Sequence, residues 1–170
     1  MPDLNSVFGS RLVTLHTGRA GIRTALPIRA AAAPASETTE PAIDFTSSDA
    51  TLDRYEEVIS PAGWNLDNYR RNPVFQDSHD YSSIMRTIGR AVVTEVRSAA
   101  LFQRVVFAIA DNPLAKVAYN LYRGGFLHAV SVGFIPNEWV NGTDKDTFRR
   151  KYLRQELLET SAVSIPANPN

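Results

Sequence analysis

Four runs of β-branched and aromatic residues dominate the second half of this chain: "IGRAVVTEV" at 88–96, "ALFQRVVFAIA" at 100–110, "GGFLHAVSVGF" at 124–134 and "LLETSAVSI" at 157–165. Side chains of these types suit a pleated, half-buried surface and crowd a helix. The chain is therefore committed to a sheet before any other feature is weighed. The first two runs are close enough to form an antiparallel pair. "IDFTSS" alternates as a further strand, "SPAGW" reads as the turn closing it, and "NLDNYRR" as a short helix that stops before Pro73. One segment carries a strong helical signal. Asn112 can cap it, Pro113 suits the first helical position, Leu114, Val117, Ala118 and Leu121 form a stripe, and Gly124 and Gly125 end it. Many strands with one strong helix predict an α+β fold, a curled antiparallel barrel-like sheet with a few surrounding helices.

At 170 residues the chain can bury one real core and is short for two. "IRAAAAPASETTEPA" (28–42) has the composition of a linker. It divides the chain into an arm and linker over 1–42, expected to be mobile, and a folded domain over 43–170. Short apolar clusters in the arm, "RLVTL" and "TALPI", could instead add a strand. Eighteen basic residues balance 18 acidic ones, so the footprint for nonspecific nucleic-acid binding is missing. There is no cysteine, which excludes disulfides, thiolate catalysis and cysteine-bound zinc. No histidine pair or glycine-rich loop has metal or phosphate spacing, so neither a metal nor a cofactor is expected. No run reaches the roughly 20 apolar residues of a membrane helix, and no signal-peptide segment opens the chain; a soluble, unexported protein is expected.

Ser131 is the polar residue that this pattern leaves to be explained. Alternation along the run puts Phe126, His128, Val130, Val132 and Phe134 on one face and Leu127, Ala129, Ser131 and Gly133 on the other. The hydroxyl thus sits between alanine and glycine, where a substrate backbone could approach. A serine nucleophile needs a base and a group to orient that base. His16 lies in the arm and His128 faces away from Ser131. His79, in the polar loop of "NPVFQDSHDY", remains by elimination, against the plainer reading of a solvated loop histidine. Glu159, in phase with Ser161, Val163 and Ile165, is the leading carboxylate, against an edge-strand glutamate facing water. Asp77, Asp80 and Glu156 compete with it. Arg149 and Arg150 could support an oxyanion or simply form a solvated basic face.

The order "DATLDRYEEVISPAGWNLDNYRRNPVFQDSHD", "IGRA", a helix ending in "GG", "AVSVGF" and "LLETSAVSIPANP" resembles the prohead protease family of tailed bacteriophages over about Phe45 to Asn168. That resemblance implies a serine peptidase on a herpesvirus-protease-like fold, with Ser131 as nucleophile, His79 as base, Glu159 as the acidic member, and oxyanion support near Arg149 and Arg150. It also implies the scaffolding protein, or the scaffold arm of the major capsid protein, as substrates inside the immature capsid in the bacterial cytoplasm. Self-cleavage and self-association are further implications. The chain stops at "PANPN" where family members usually continue, which implies a trimmed or truncated C-terminus. The sequence departs from the family twice: Tyr55, Glu56 and Glu57 follow Arg54 where an acidic-glycine-acidic turn is usual, and "FQDS" is less apolar than usual before the histidine, which predicts a more exposed ring. The alternatives are a capsid-assembly module of the same fold that cuts nothing, and a general esterase, which would lack its G-x-S-x-G elbow.

Overall fold

The computed structural model describes the backbone of residues 12–14 and 20–27 and the whole of residues 40–168. Its strands are β1 (Leu12–Thr14), β2 (Ala20–Pro27), β3 (Ala42–Ser48), β4 (Glu57–Ile59), β5 (Trp64–Asn65), β6 (Val74–Asp77), β7 (Thr87–Arg97), β8 (Ala100–Phe107), β9 (Ala129–Asn141) and β10 (Arg150–Val163). Among the described residues there is one α-helix, α1 (Pro113–Arg123), and "NLDNYRR" supplies only a 3-10 turn at Tyr69–Arg71. The sheet runs β1-β2-β9-β10-β6-β7-β8-β3, with β4 and β5 also on β10. β1 and β2 fall inside the segment expected as an arm, and the linker residues 28–39 lie outside the described ones.

The sheet is mixed, not antiparallel as expected. β10 is antiparallel to β9 but parallel to β4, β5 and β6, which lie end to end along its other side. The physical reason is the length of the connection: β7, β8, α1 and β9 intervene between β6 and β10, ample for a parallel crossover. The antiparallel pairing expected between the first two runs holds. β7 and β8 form an antiparallel hairpin whose two turn residues, Ser98 and Ala99, both have positive φ.

The curl follows from the core. β3 and β6 stand three strand steps apart, about 14 Å if the sheet were flat, yet the rings of Phe45 and Phe75 stack with centroids 5.6 Å apart. The sheet rolls until these faces meet, and α1 closes the open end. Asn112 caps the helix through a 2.9 Å bond from Leu114 N–H. The face it buries differs from the expected stripe: Ala115 and Tyr122 are buried, Ala118 and Tyr119 pack against the core, and Val117 is 56% exposed. Aromatic packing decides this, because Tyr119 and Tyr122 set their rings against Phe107 and Phe45. β9 also begins later than expected, at Ala129. Phe126 and Leu127 instead return their N–H groups to Leu121 O at the helix end, which leaves Phe126 82% exposed and His128 outside the strand.

Candidate active site

Three neighbouring elements meet around Ser131. The side chains of Val130, Val132 and Phe134 enter the core, so Ser131 and Gly133 face the opposite side of β9. On β10 the register pairs Ser161 with Ser131 and Glu159 with Gly133. Leu157 is a core residue, and so is Ala162. Unbroken alternation would put Leu157 and Ala162 on opposite faces. A bulge between Leu157 and Glu159 resets the phase, so that Thr160 and Ala162 point inward and Glu159 and Ser161 outward. Regular pairing through Leu158 would set Glu159 opposite the inward-facing Val132 and drive it into the core.

His79 comes from the turn after β6, on the far side of β10. Ser78 and His79 both have positive φ, near +55°, which costs non-glycine residues about 1 kcal/mol or more each. Several bonds hold the turn in this shape: Ser78 N–H donates to Ala162 O, His79 N–H to the Ser161 hydroxyl at 3.0 Å, and Asp80 N–H to Asp77 O. Arg86 clamps both ends, with Nη1 2.6 Å from Asp77 and Nε 2.9 Å from Asp80. The imidazole is thereby leaned back over β10. Its Nε2 lies 2.5 Å from Ser131 Oγ and its Nδ1 2.5 Å from Glu159 Oε1. The tautomer that fits has the ring proton on Nδ1, donated to the carboxylate, with Nε2 accepting from the serine hydroxyl.

Glu159 is 3% exposed, and its buried charge is met by three donors: the His79 ring, the Tyr81 hydroxyl at 3.2 Å and the Ser161 hydroxyl at 2.5 Å. Gly133 makes the room. A Cβ there would lie 2.3 Å from Glu159 Oε1, so the small residue beside the serine serves the carboxylate. Ser161 joins two partners at once, accepting from His79 N–H while donating to Glu159. Sequence reasoning passed over it, although its phase with Glu159 was visible. Arg86 and Tyr81 gave no signal in the sequence.

The structure thus brings Ser131, His79 and Glu159 together. His79 is buried, contrary to the exposed ring expected from "FQDS", because the clamped turn folds it onto β10. The competing carboxylates are occupied elsewhere: Asp77 and Asp80 bind Arg86, and Glu156 accepts from Asn68. Arg149 and Arg150 do not reach the site. Arg150 pairs with Asn141, ten residues beyond Ser131 on β9, about 30 Å along the strand. Both guanidiniums bind the buried Glu57, which also accepts from the Tyr152 hydroxyl. They neutralise a carboxylate that stood out in the sequence only as part of the turn after Arg54.

The family described as caudovirus prohead serine protease matches residues 27–170. The fold is similar to that of the bacteriophage T4 capsid assembly protease, gp21, with a TM-score of 0.64 at 12% identity, covering 86% of this chain and 98% of that one. No curated protein matches the chain. The family match spans the whole of the sheet from β3 to β10 and every residue gathered around Ser131, and on that ground this chain belongs to the caudovirus prohead serine proteases, the peptidases of phage capsid maturation.

Proposed function

We propose that the protein is a serine endopeptidase that uses Ser131, His79 and Glu159 to cut the scaffolding protein or the scaffold arm of the major capsid protein, and itself, inside the immature capsid in the bacterial cytoplasm. The reading takes 43–170 as the peptidase unit, on a fold shared with the herpesvirus capsid-maturation proteases. One observation carries it: a single imidazole lies 2.5 Å from a serine hydroxyl on one side and 2.5 Å from a carboxylate on the other. A core hydroxyl serving structure alone has no need of a histidine held in a strained turn.

In this mechanism neutral His79 accepts the Ser131 proton at Nε2 as the oxygen attacks the peptide carbonyl, and then delivers it to the departing amine. Glu159 holds the ring through Nδ1–H and stabilises the imidazolium formed between those steps. Water attacks the acyl-serine by the same proton path in reverse, releasing the second product. Backbone N–H donors around the developing oxyanion would each contribute ~3 kcal/mol.

The test is co-expression with the scaffolding and major capsid proteins of the same phage. Wild type is expected to process the scaffold and Ser131→Ala to leave it intact. Equal processing by both would overturn the nucleophile. Glu159→Gln should fall between them, and a wild-type rate would remove Glu159 from the mechanism.

A further inference from the structure

Ser131 has no exposed surface. A peptidase of the kind proposed above must bring an extended peptide to that hydroxyl, so something beside β9 has to move. β10 cannot, because it carries Glu159 and Ser161 and is bonded along most of β9. The other side of β9 is held by β2, which runs antiparallel to it from Ile22 opposite Phe134 to Pro27 opposite Ala129. Ala25 stands opposite Ser131 itself. The 14 residues 28–41 separate β2 from β3, and their alanine, proline, serine and threonine content is that of a tether.

We propose that this side of β9 is the seat where a substrate strand adds, and that β2 is the chain's own occupant of it, restraining the peptidase until substrate displaces it. The inference rests on the catalytic reading of Ser131. Main-chain bonding to a free strand edge is a general way to hold an extended peptide of varied sequence. With β2 removed, β9 offers such an edge along the stretch that bears the hydroxyl, between the small residues Ala129 and Gly133. Both claimants need the same N–H and C=O groups, so they exclude one another. The tether gives β2 an effective concentration in the millimolar range, enough to compete with any substrate at lower concentration. Inside an immature capsid, where substrate chains are packed together, the balance tips toward displacement.

The experiment uses the full chain and a fluorophosphonate probe, with the adduct on Ser131 read by mass spectrometry. Wild type is compared with the double variant Thr24→Pro and Ala25→Pro. Consecutive residues of a strand turn their N–H groups to opposite neighbours, so one of the two prolines removes a bond to β9 in either phase. The variant is expected to label about tenfold faster or more, and a synthetic peptide of residues 18–29 at millimolar concentration to slow it again. Equal rates for the two proteins would overturn the inference. So would a fast rate that the peptide leaves unchanged, since that would mean general loosening. Failure of the peptidase reading looks different: neither protein labels at Ser131, and the inference falls with it.

Discussion

Gly133 is the residue at which packing and the proposed chemistry bear on each other most directly. In the sequence it is one more small neighbour of Ser131. In the structure its missing side chain is the space that Glu159 occupies. Gly133→Ala puts a methyl group 2.3 Å from Oε1, closer than any real contact, so the carboxylate must turn away from His79. Scaffold processing is expected to slow by roughly ten- to a hundredfold, in line with the loss of a hydrogen bond that orients a base. The chain should remain folded, because the displaced group is a side-chain end. Processing at the wild-type rate in a purified Gly133→Ala protein would show that Glu159 does not need this space. The neighbouring Ser161 shows what the sequence leaves open at this scale. Its phase with Glu159 was legible, but not that it also receives His79 N–H from 82 residues away.

At the scale of elements, two irregularities build the site, and regular structure would destroy it. The bulge in β10 re-aims Glu159, and the left-handed pair Ser78–His79 re-aims the imidazole. The second depends on a clamp that can be tested. Arg86→Met keeps an unbranched apolar stem and removes both ion pairs to Asp77 and Asp80. Arg86 is partly exposed, so stability should change by less than about 1 kcal/mol. Processing should nonetheless fall several-fold as the turn samples relaxed backbone angles. A large drop in melting temperature with unchanged processing per folded molecule would reverse that assignment. Strand identity was readable here from β-branched runs, and the helix from its cap and terminal glycines. The bulge was not, since it is set by how β9 and β10 fit together rather than by any residue type within "ELLETSAV".

Across the whole molecule, the curl brings distant strands into one core, and Phe45 is its tie. Its ring touches Phe75 from β6 and Tyr122 from α1. Phe45→Ala should cost about 3–5 kcal/mol in urea unfolding, the usual range for a buried phenylalanine; a loss below 1 kcal/mol would mean the strands are held together elsewhere. Alkaline pH probes the same core. Burial pushes the Tyr122 phenol well above its ordinary range, and Tyr69 likewise, although bonds to Gln103 and Thr160 partly offset the shift at Tyr69. Because the folded values are the raised ones, their stabilising effect is complete below about pH 10. Above it the unfolded chain loses protons that the folded chain keeps, and stability falls. The urea midpoint should therefore hold up to about pH 10 and fall above it. Tyr122→Phe should start lower, having lost the 2.6 Å bond to Ala129 O, and decline less steeply. Parallel declines would place the titration elsewhere.

What the sequence determined by itself was local: which segments extend, where helix α1 starts and stops, and which serine and histidine stand out against their surroundings. Those properties follow from side-chain shape and backbone preference within a few residues. What only the tertiary structure decided was relational. It made β10 parallel to three short strands, turned α1 on its tyrosine face, took Arg149 and Arg150 to Glu57, and seated β2 against Ser131. Each of these depends on which surfaces are left to cover one another once the sheet rolls up, and that is a property of the assembled chain.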